Sequence, residues 1–131
     1  MLIQEIGKKF GYEKPDIDGV FATGWQEAHI TGVLAALTQK YPAYIEDGVR
    51  ALRKAPVVYC SEASRHATIK AAKVCGLGRS SVKYIKVDAS QKMISSELEK
   101  QIELDVAKGL EPFFVFATMG TTGAGAIEPN K

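Results

Sequence analysis

The sequence predicts an α/β protein built on a parallel sheet. Three observations carry that expectation: short runs rich in β-branched and aromatic residues, helical segments between them, and steps of roughly 25 to 30 residues from run to run. Residues 1–18 are expected as an N-terminal helix ahead of the body at 19–131. Gly19 to Thr23 is a candidate short strand. Glu27 to Lys40 then spaces Ala28, Val33, Leu34, Ala36 and Leu37 as one face of a helix that stops near Tyr41-Pro42. A second amphipathic stretch covers Ala43 to Lys54. The run Pro56 to Cys60 is the first clear strand. Ser64 to Cys75 is helical, with Gly76 as its C-cap. Val82 to Val87 is the next strand. Ser96 and Glu99 form a capping box that opens a helix running to Gly109. Pro112 to Thr118 closes the series as the most apolar strand. Right-handed crossovers would put the loops after each strand on one edge, where open α/β folds bind ligands.

Composition narrows the function classes. The 131 residues are 46% hydrophobic and 24% charged, with 17 Lys and Arg against 15 Asp and Glu. That balance, with its scattered cations, predicts neither a nucleic-acid partner nor a membrane surface, since both need basic clusters. No run approaches the roughly 20 apolar residues of a membrane span. The first residues lack a basic and apolar leader, and the two cysteines, Cys60 and Cys75, make no disulfide framework. The expected compartment is cytoplasmic. Gly24 begins no Gly-x-Gly-x-x-Gly, no Walker-type loop occurs, and Gly76-Leu77-Gly78 follows a helix instead of a strand. Zinc-ligand spacing and a Gly-x-Ser-x-Gly elbow are also missing from the sequence.

Three loops at the predicted carboxyl edge carry the chemistry. Thr23-Gly24-Trp25-Gln26 leads into a helix, where glycine permits close backbone approach and free amides attract an anion. His66 opens another helix, and His29 lies one turn into the first. Thr118-Met119-Gly120-Thr121-Thr122 ends the apolar strand with three hydroxyls and a glycine. Each alone is an ordinary turn, and their convergence is what marks a site.

These segments resemble the pyridoxal-phosphate-dependent group II amino acid decarboxylases, the glutamate and aromatic amino acid decarboxylase family. The likeness is collinear from Gly19 to Pro129. Gly19-Val20-Phe21-Ala22-Thr23-Gly24 with Glu27-Ala28 is similar to the family's phosphate loop. Ser61-Glu62 with His66 and Lys70-Ala71-Ala72 is similar to its histidine segment. Lys108 to Thr122, continuing through Gly125-Ala126-Ile127-Glu128-Pro129, is the most specific stretch. The resemblance implies a portion of the large domain of the aspartate-aminotransferase-like (type I) pyridoxal-phosphate fold. Residues 1–131 would be a single partial domain, with its cofactor-domain portion at 19–131.

The resemblance also implies roles. Thr23, Gly24, Trp25 and Gln26 would hold the phosphate of pyridoxal 5'-phosphate. His66 would stack on the ring and meet the substrate, and Thr118 would sit beside the ring. The substrate would be an amino acid losing carbon dioxide, and the assembly a homodimer or a pair with a complementing chain. Trp25 and Gln26 depart from the family's small residue and hydroxyl, and the histidine loop is one residue longer. The family's Schiff-base lysine and pyridine-nitrogen aspartate follow the strand that ends at Thr118. Val87-Asp88-Ala89 precedes that strand, and Lys131 stands in the wrong context. The chain is therefore expected to be a truncated, inactive decarboxylase. Two alternatives stay open: a non-catalytic module binding phosphate-bearing ligands or a partner, and one half of a split enzyme.

Overall fold

Every residue from Pro56 to Ser61 is buried, and that strand organises the rest. In the computed structural model, which describes residues 2–13 and 17–129, it is β1 (Pro56–Ser61), flanked by β2 (Val82–Ile85) and β3 (Glu111–Phe116) in the parallel order β2-β1-β3. Val58 is paired with Val82 on one side and Phe114 on the other. A strand flanked on both edges satisfies its backbone groups in the sheet and leaves its side chains for two faces. The helices are α1 (Leu2–Lys9), α2 (Trp25–Lys40), α3 (Tyr44–Asp47), α4 (Arg65–Val74) and α5 (Ser95–Ala107).

Alternation along β1 divides the core. Val57 and Tyr59 pack with Ile85 and Met93 under Leu98 and Ile102 of α5. Cys60 points the other way, against Ala72 of α4 and Val82. On that second face Val33 and Leu37 of α2 pack on Ala71 and Cys75, with Phe113 and Phe116 alongside. Helices thus cover both faces, as a buried parallel sheet requires. A buried polar link fixes α5: the Tyr59 hydroxyl donates to Asp105 Oδ2 at 3.1 Å, and Gln101 Nε2 donates to the same oxygen at 3.1 Å. Burial, then the Asp105 carboxylate, pushes the Tyr59 hydroxyl well above its ordinary pKa. Both cysteines are buried and free, and burial pushes the Cys60 thiol up to about 11.

The end of α4 matches its sequence signal. Gly76, at φ +77°, lets the Leu77 N–H reach the Ala72 carbonyl at 2.9 Å while its own N–H reaches Lys73 at 3.1 Å. A Cβ at Gly76 would lie 2.6 Å from Val49 Cγ1, so packing as well as φ selects glycine.

Four local expectations are corrected. Gly19 to Thr23 is unpaired chain, with Val20 and Phe21 exposed, because no strand lies beside it among the described residues. The helix expected over Ala43 to Lys54 reduces to α3 and a 3-10 turn at Gly48–Ala51, since Gly48 takes φ +58°. The Ser96–Glu99 capping box does not form. Helix α5 starts two residues earlier with Ile94 at its N-cap, so Ser96 already has helical neighbours. The N-terminal helix is confined to Leu2–Lys9 and yields to a turn with Gly11 at φ +87°; residues 1 and 14–16 of the expected stretch lie outside the described residues.

Strand β3 carries a bulge: Pro112 pairs with Val57 but Phe114 pairs with Val58, leaving Phe113 extra. That offset lets Phe113 and Phe116, of opposite parity, join the same cluster. Pro112 has no amide to donate, which suits a bulged strand at the edge of the described sheet.

Burial sets the cost of truncation. Leu37 is 0% exposed, so Leu37→Ala is expected to cost about 2–5 kcal/mol in urea unfolding. Leu104 on α5 is 54% exposed, and Leu104→Ala is expected to change stability by no more than about 0.5 kcal/mol.

Candidate functional site

From β1 the chain crosses to β2 on one side and then returns to β3 on the other. At such a reversal the loops leaving the two adjacent strands diverge and open a crevice beyond their carboxyl ends. Here the loop after β1 is a 3-10 turn, Glu62–Ser64, leading straight into α4. The loop after β3 begins at Ala117-Thr118. The two meet through hydroxyls: Ser64 Oγ lies 2.6 Å from Thr118 Oγ1, and Ser61 Oγ donates to Ser64 Oγ at 3.4 Å. Thr68 steadies the turn by donating to the Ser64 carbonyl at 3.2 Å.

The first turn of α2 supplies the third wall. The His29 ring lies nearly parallel to Phe116 at 4.5 Å, and Trp25 meets it edge-on at 4.8 Å. His29 Nδ1 donates to the Trp25 carbonyl at 2.8 Å, which places the proton on Nδ1 and leaves Nε2 to other partners. Together Trp25, His29, Ser64, Thr118, Gly120 and Thr122 line a crevice of about 290 Å³.

Helix α2 begins without a side-chain cap. Gly24 is its extended N-cap, and the first helical bond runs from the Ala28 N–H to the Gly24 carbonyl at 3.1 Å. The amides of Trp25, Gln26 and Glu27 therefore have no intrahelical acceptor and form an anion-attracting end. Thr23 is already engaged: its N–H and hydroxyl donate to Glu27 Oε2 at 2.7 and 2.5 Å. The hydroxyl bond first, and then the amide bond, holds the Glu27 carboxyl below the ordinary 4.5. Gln26 is engaged as well, donating from Nε2 to the Ala67 carbonyl of α4 at 3.2 Å.

The predicted residues thus separate. Trp25 and Thr118 line one crevice, with Gly24 at the adjoining helix end. Thr23 and Gln26 turn their side chains to Glu27 and α4. His66 is exposed and stands apart, in a groove of about 640 Å³ with Ile69, Lys73, Arg79 and Tyr84. The reason is helical geometry. Ser64 precedes α4 and faces the crevice, and a residue two positions further along a helix faces away.

Sequence reasoning missed Ser64, undervalued His29 and passed over Glu128. Glu128 is 2% exposed, accepts the Thr118 N–H through Oε2 at 2.8 Å, and returns its own N–H to the Thr118 carbonyl at 3.0 Å. Ser64 was signalled by its place before a helix. Glu128 was named only within the Gly125 to Pro129 stretch of the resemblance, with no role attached, because a charged residue between Ile127 and Pro129 reads as surface.

An open parallel sheet with helices on both faces and a crevice at the strand reversal is the doubly wound α/β arrangement. More narrowly, the chain belongs to the pyridoxal-dependent decarboxylase family, whose conserved domain matches residues 3–131. Cysteine sulfinic acid decarboxylase of Rattus norvegicus is 39% identical over 112 residues, covering 86% of this chain and 22% of that protein. Glutamate decarboxylase of Drosophila melanogaster is 38% identical over 111 residues, covering 85% and 22%. The crystal structure of mouse CSAD superposes with a TM-score of 0.90 at 34% identity, over 98% of this chain and 26% of that one. The structure of Oryza sativa TDC with PLP and tryptamine, at 22% identity and TM-score 0.78, shares the fold. The chain spans about a fifth of the length of the curated relatives it matches.

The crevice suits the family's cofactor in its donor set. Unbonded helix amides would offer a phosphate site, the Ser64 and Thr118 hydroxyls would offer polar contacts, and aromatic side chains wall the crevice. Its volume stands at the low end for small-ligand sites. No carboxylate lines it to repel an anion.

The Thr23–Glu27 contact makes a pH prediction. Glu27 is depressed in the folded chain, so the contact contributes stability above the unfolded carboxyl range and loses it as pH falls through the folded value. Thr23→Val should move the Glu27 carboxyl up toward 4.5 in a carbon-detected NMR titration.

Proposed function

We propose that the chain forms the cofactor-facing part of a pyridoxal-phosphate-dependent amino acid decarboxylase. The observation that carries this reading is the Ser64–Thr118 hydroxyl contact beside the uncapped start of α2, at the strand reversal. The amides of Gly24, Trp25 and Gln26 would hold the phosphate at the helix end, where the aligned peptide dipoles favour negative charge. Thr23 would add its hydroxyl once released from Glu27, and Gln26 keeps α2 in register with α4. Thr118 and Ser64 would present their hydroxyls along one edge of the ring. His29, fixed by Trp25 and Phe116, shields that edge from water. His66 takes the ring-stacking role if the start of α4 turns about Glu62–Ser64 and carries it out of its own groove.

Pyridoxal phosphate, when bound, supplies the electron sink that accepts the pair left on the α-carbon as carbon dioxide departs. The lysine and aspartate that the resemblance assigns to this chemistry follow β3 in the family's order, and would be supplied by that sequence or by a complementing chain. The substrate is an amino acid, and the names of the relatives favour an acidic one. A cytoplasmic location fits the two buried free thiols, and the assembly would be a homodimer, as the resemblance implies. A second reading, a module that binds phosphate-bearing ligands without catalysis, is favoured for the chain alone because no lysine lines the crevice.

Trp25 is the only tryptophan and lines the crevice, so its emission reports occupancy. Pyridoxal phosphate is expected to quench it saturably, and pyridoxal without the phosphate to bind more weakly. Thr118→Val should raise the dissociation constant about 2- to 10-fold, the loss of one hydrogen bond of about 0.5–1.5 kcal/mol. Unchanged emission at millimolar pyridoxal phosphate would remove the reading.

A further inference from the structure

The loop that carries Thr118 is held from beneath by a buried acidic side chain. Residues 118–128 fold back on themselves. Met119 and Ile127 form an antiparallel bridge, and the amides of Gly120 and Thr121 both reach the Ala126 carbonyl at 3.0 Å. Gly120 takes φ +103°, a conformation closed to most side chains, so the loop's path is set by backbone and not by packing of its tip. At its base Thr118 and Glu128 exchange two bonds, one backbone to backbone and one from the Thr118 amide to the Glu128 carboxylate at 2.8 Å.

A carboxylate is a costly choice for this position. Glu128 is 2% exposed, no cation pairs with it among the described residues, and its Oε1 has no hydrogen-bond partner there. A neutral side chain would close the same loop without that cost. What a carboxylate adds is a strong, short-reach acceptor for one particular amide. That amide belongs to the residue whose hydroxyl meets Ser64 Oγ at 2.6 Å across the crevice. Glu128 does not line the crevice, so any effect on a ligand passes through Thr118.

We propose that Glu128 is a positioning residue. Its buried carboxylate fixes the Thr118 backbone so that the Thr118 hydroxyl stays on Ser64 and at the ring edge of the cofactor crevice. The inference rests on reading that crevice as the cofactor site, although its structural half does not. The chain of hydroxyls gives it consequence. Ser61 donates to Ser64, Ser64 and Thr118 share a 2.6 Å bond, and the Thr118 hydroxyl keeps hydrogen-bonding capacity for a ligand. Loss of the Glu128 clamp would let Thr118 turn and would break that contact.

The test is a double-mutant cycle on the 131-residue chain, with Glu128→Ala, Thr118→Val and both together. Two readouts are taken: the pyridoxal phosphate dissociation constant from Trp25 emission, and the urea midpoint. Glu128→Ala is expected to weaken pyridoxal phosphate binding about tenfold and to lower the midpoint. In the Thr118→Val background the midpoint should still fall, because the amide clamp is still lost, while the binding effect should vanish. Glu128→Gln keeps an acceptor oxygen and should restore most of the affinity.

Proton NMR of the Thr118 amide gives a readout that needs no ligand. The wild-type resonance should be downfield and slow to exchange, with both properties lost in Glu128→Ala and retained in part in Glu128→Gln. An equal binding loss in both backgrounds would make Glu128 merely structural and overturn the proposal. So would a Thr118 amide indifferent to Glu128→Ala. If wild-type emission ignores pyridoxal phosphate while the amide behaves as expected, the cofactor reading fails and the clamp on Thr118 stands.

Discussion

A strand that is buried along its whole length must have neighbours on both edges and cover on both faces, and β1 meets each condition with a different part of the chain. Its edges are taken by β2 and β3, its faces by α5 and by α4 with α2. Because the two neighbours arrive in succession from opposite sides, the chain must reverse its direction of travel across the sheet. The crevice is a consequence of that reversal. It opens where the loops after β1 and β3 part, and the Ser64–Thr118 contact bridges it. Burial of six residues thus determines where a ligand can sit.

The helix end beside the crevice is under competing demands. The unbonded amides at the start of α2 favour an anion, and in this structure the nearest anion is the chain's own Glu27, drawn back onto Thr23. Glu27 satisfies Thr23 but leaves the Trp25 and Gln26 amides free, so it fixes the entry to the helix without filling the end of it. A phosphate and Glu27 can therefore share the turn, with Thr23 as the group both would use. Trp25 stands edge-on to His29 and lines the crevice beside it.

Much of this was legible in the sequence. The three strand runs and the helices starting near Glu27 and Ser64 announce themselves by side-chain type and spacing, because burial dictates both. Gly76 was legible as a helix C-cap, and its φ of +77° is the backbone conformation that favours glycine there. The Gly19 to Thr23 strand misread a run of strand-like residues that has no partner, since β-propensity describes a half-buried surface and cannot create one. The Ser96 capping box failed because the helix began earlier than its best capping residue. At the site, Thr118 was legible from its place at a strand end. Ser64 showed only its place before a helix and Glu128 only its place in the resemblance, because their contacts pair across 54 and 10 residues of sequence. His66 and His29 illustrate the limit most directly. Both lie near helix starts at the same edge, and only the rotation of each about its helix decides which one meets the crevice.

The family assignment rests on a match along nearly the whole chain, over about a fifth of the relatives' length. The central claim is narrower: the crevice at the strand reversal is where this chain receives a phosphate-bearing ring. Amide mapping by two-dimensional proton–nitrogen NMR during a pyridoxal phosphate titration tests it directly. The account predicts saturable shifts centred on Gly24, Trp25, Gln26, Ser64 and Thr118. Shifts centred instead on His66, Lys73 and Arg79, in the separate groove along α4, would contradict it.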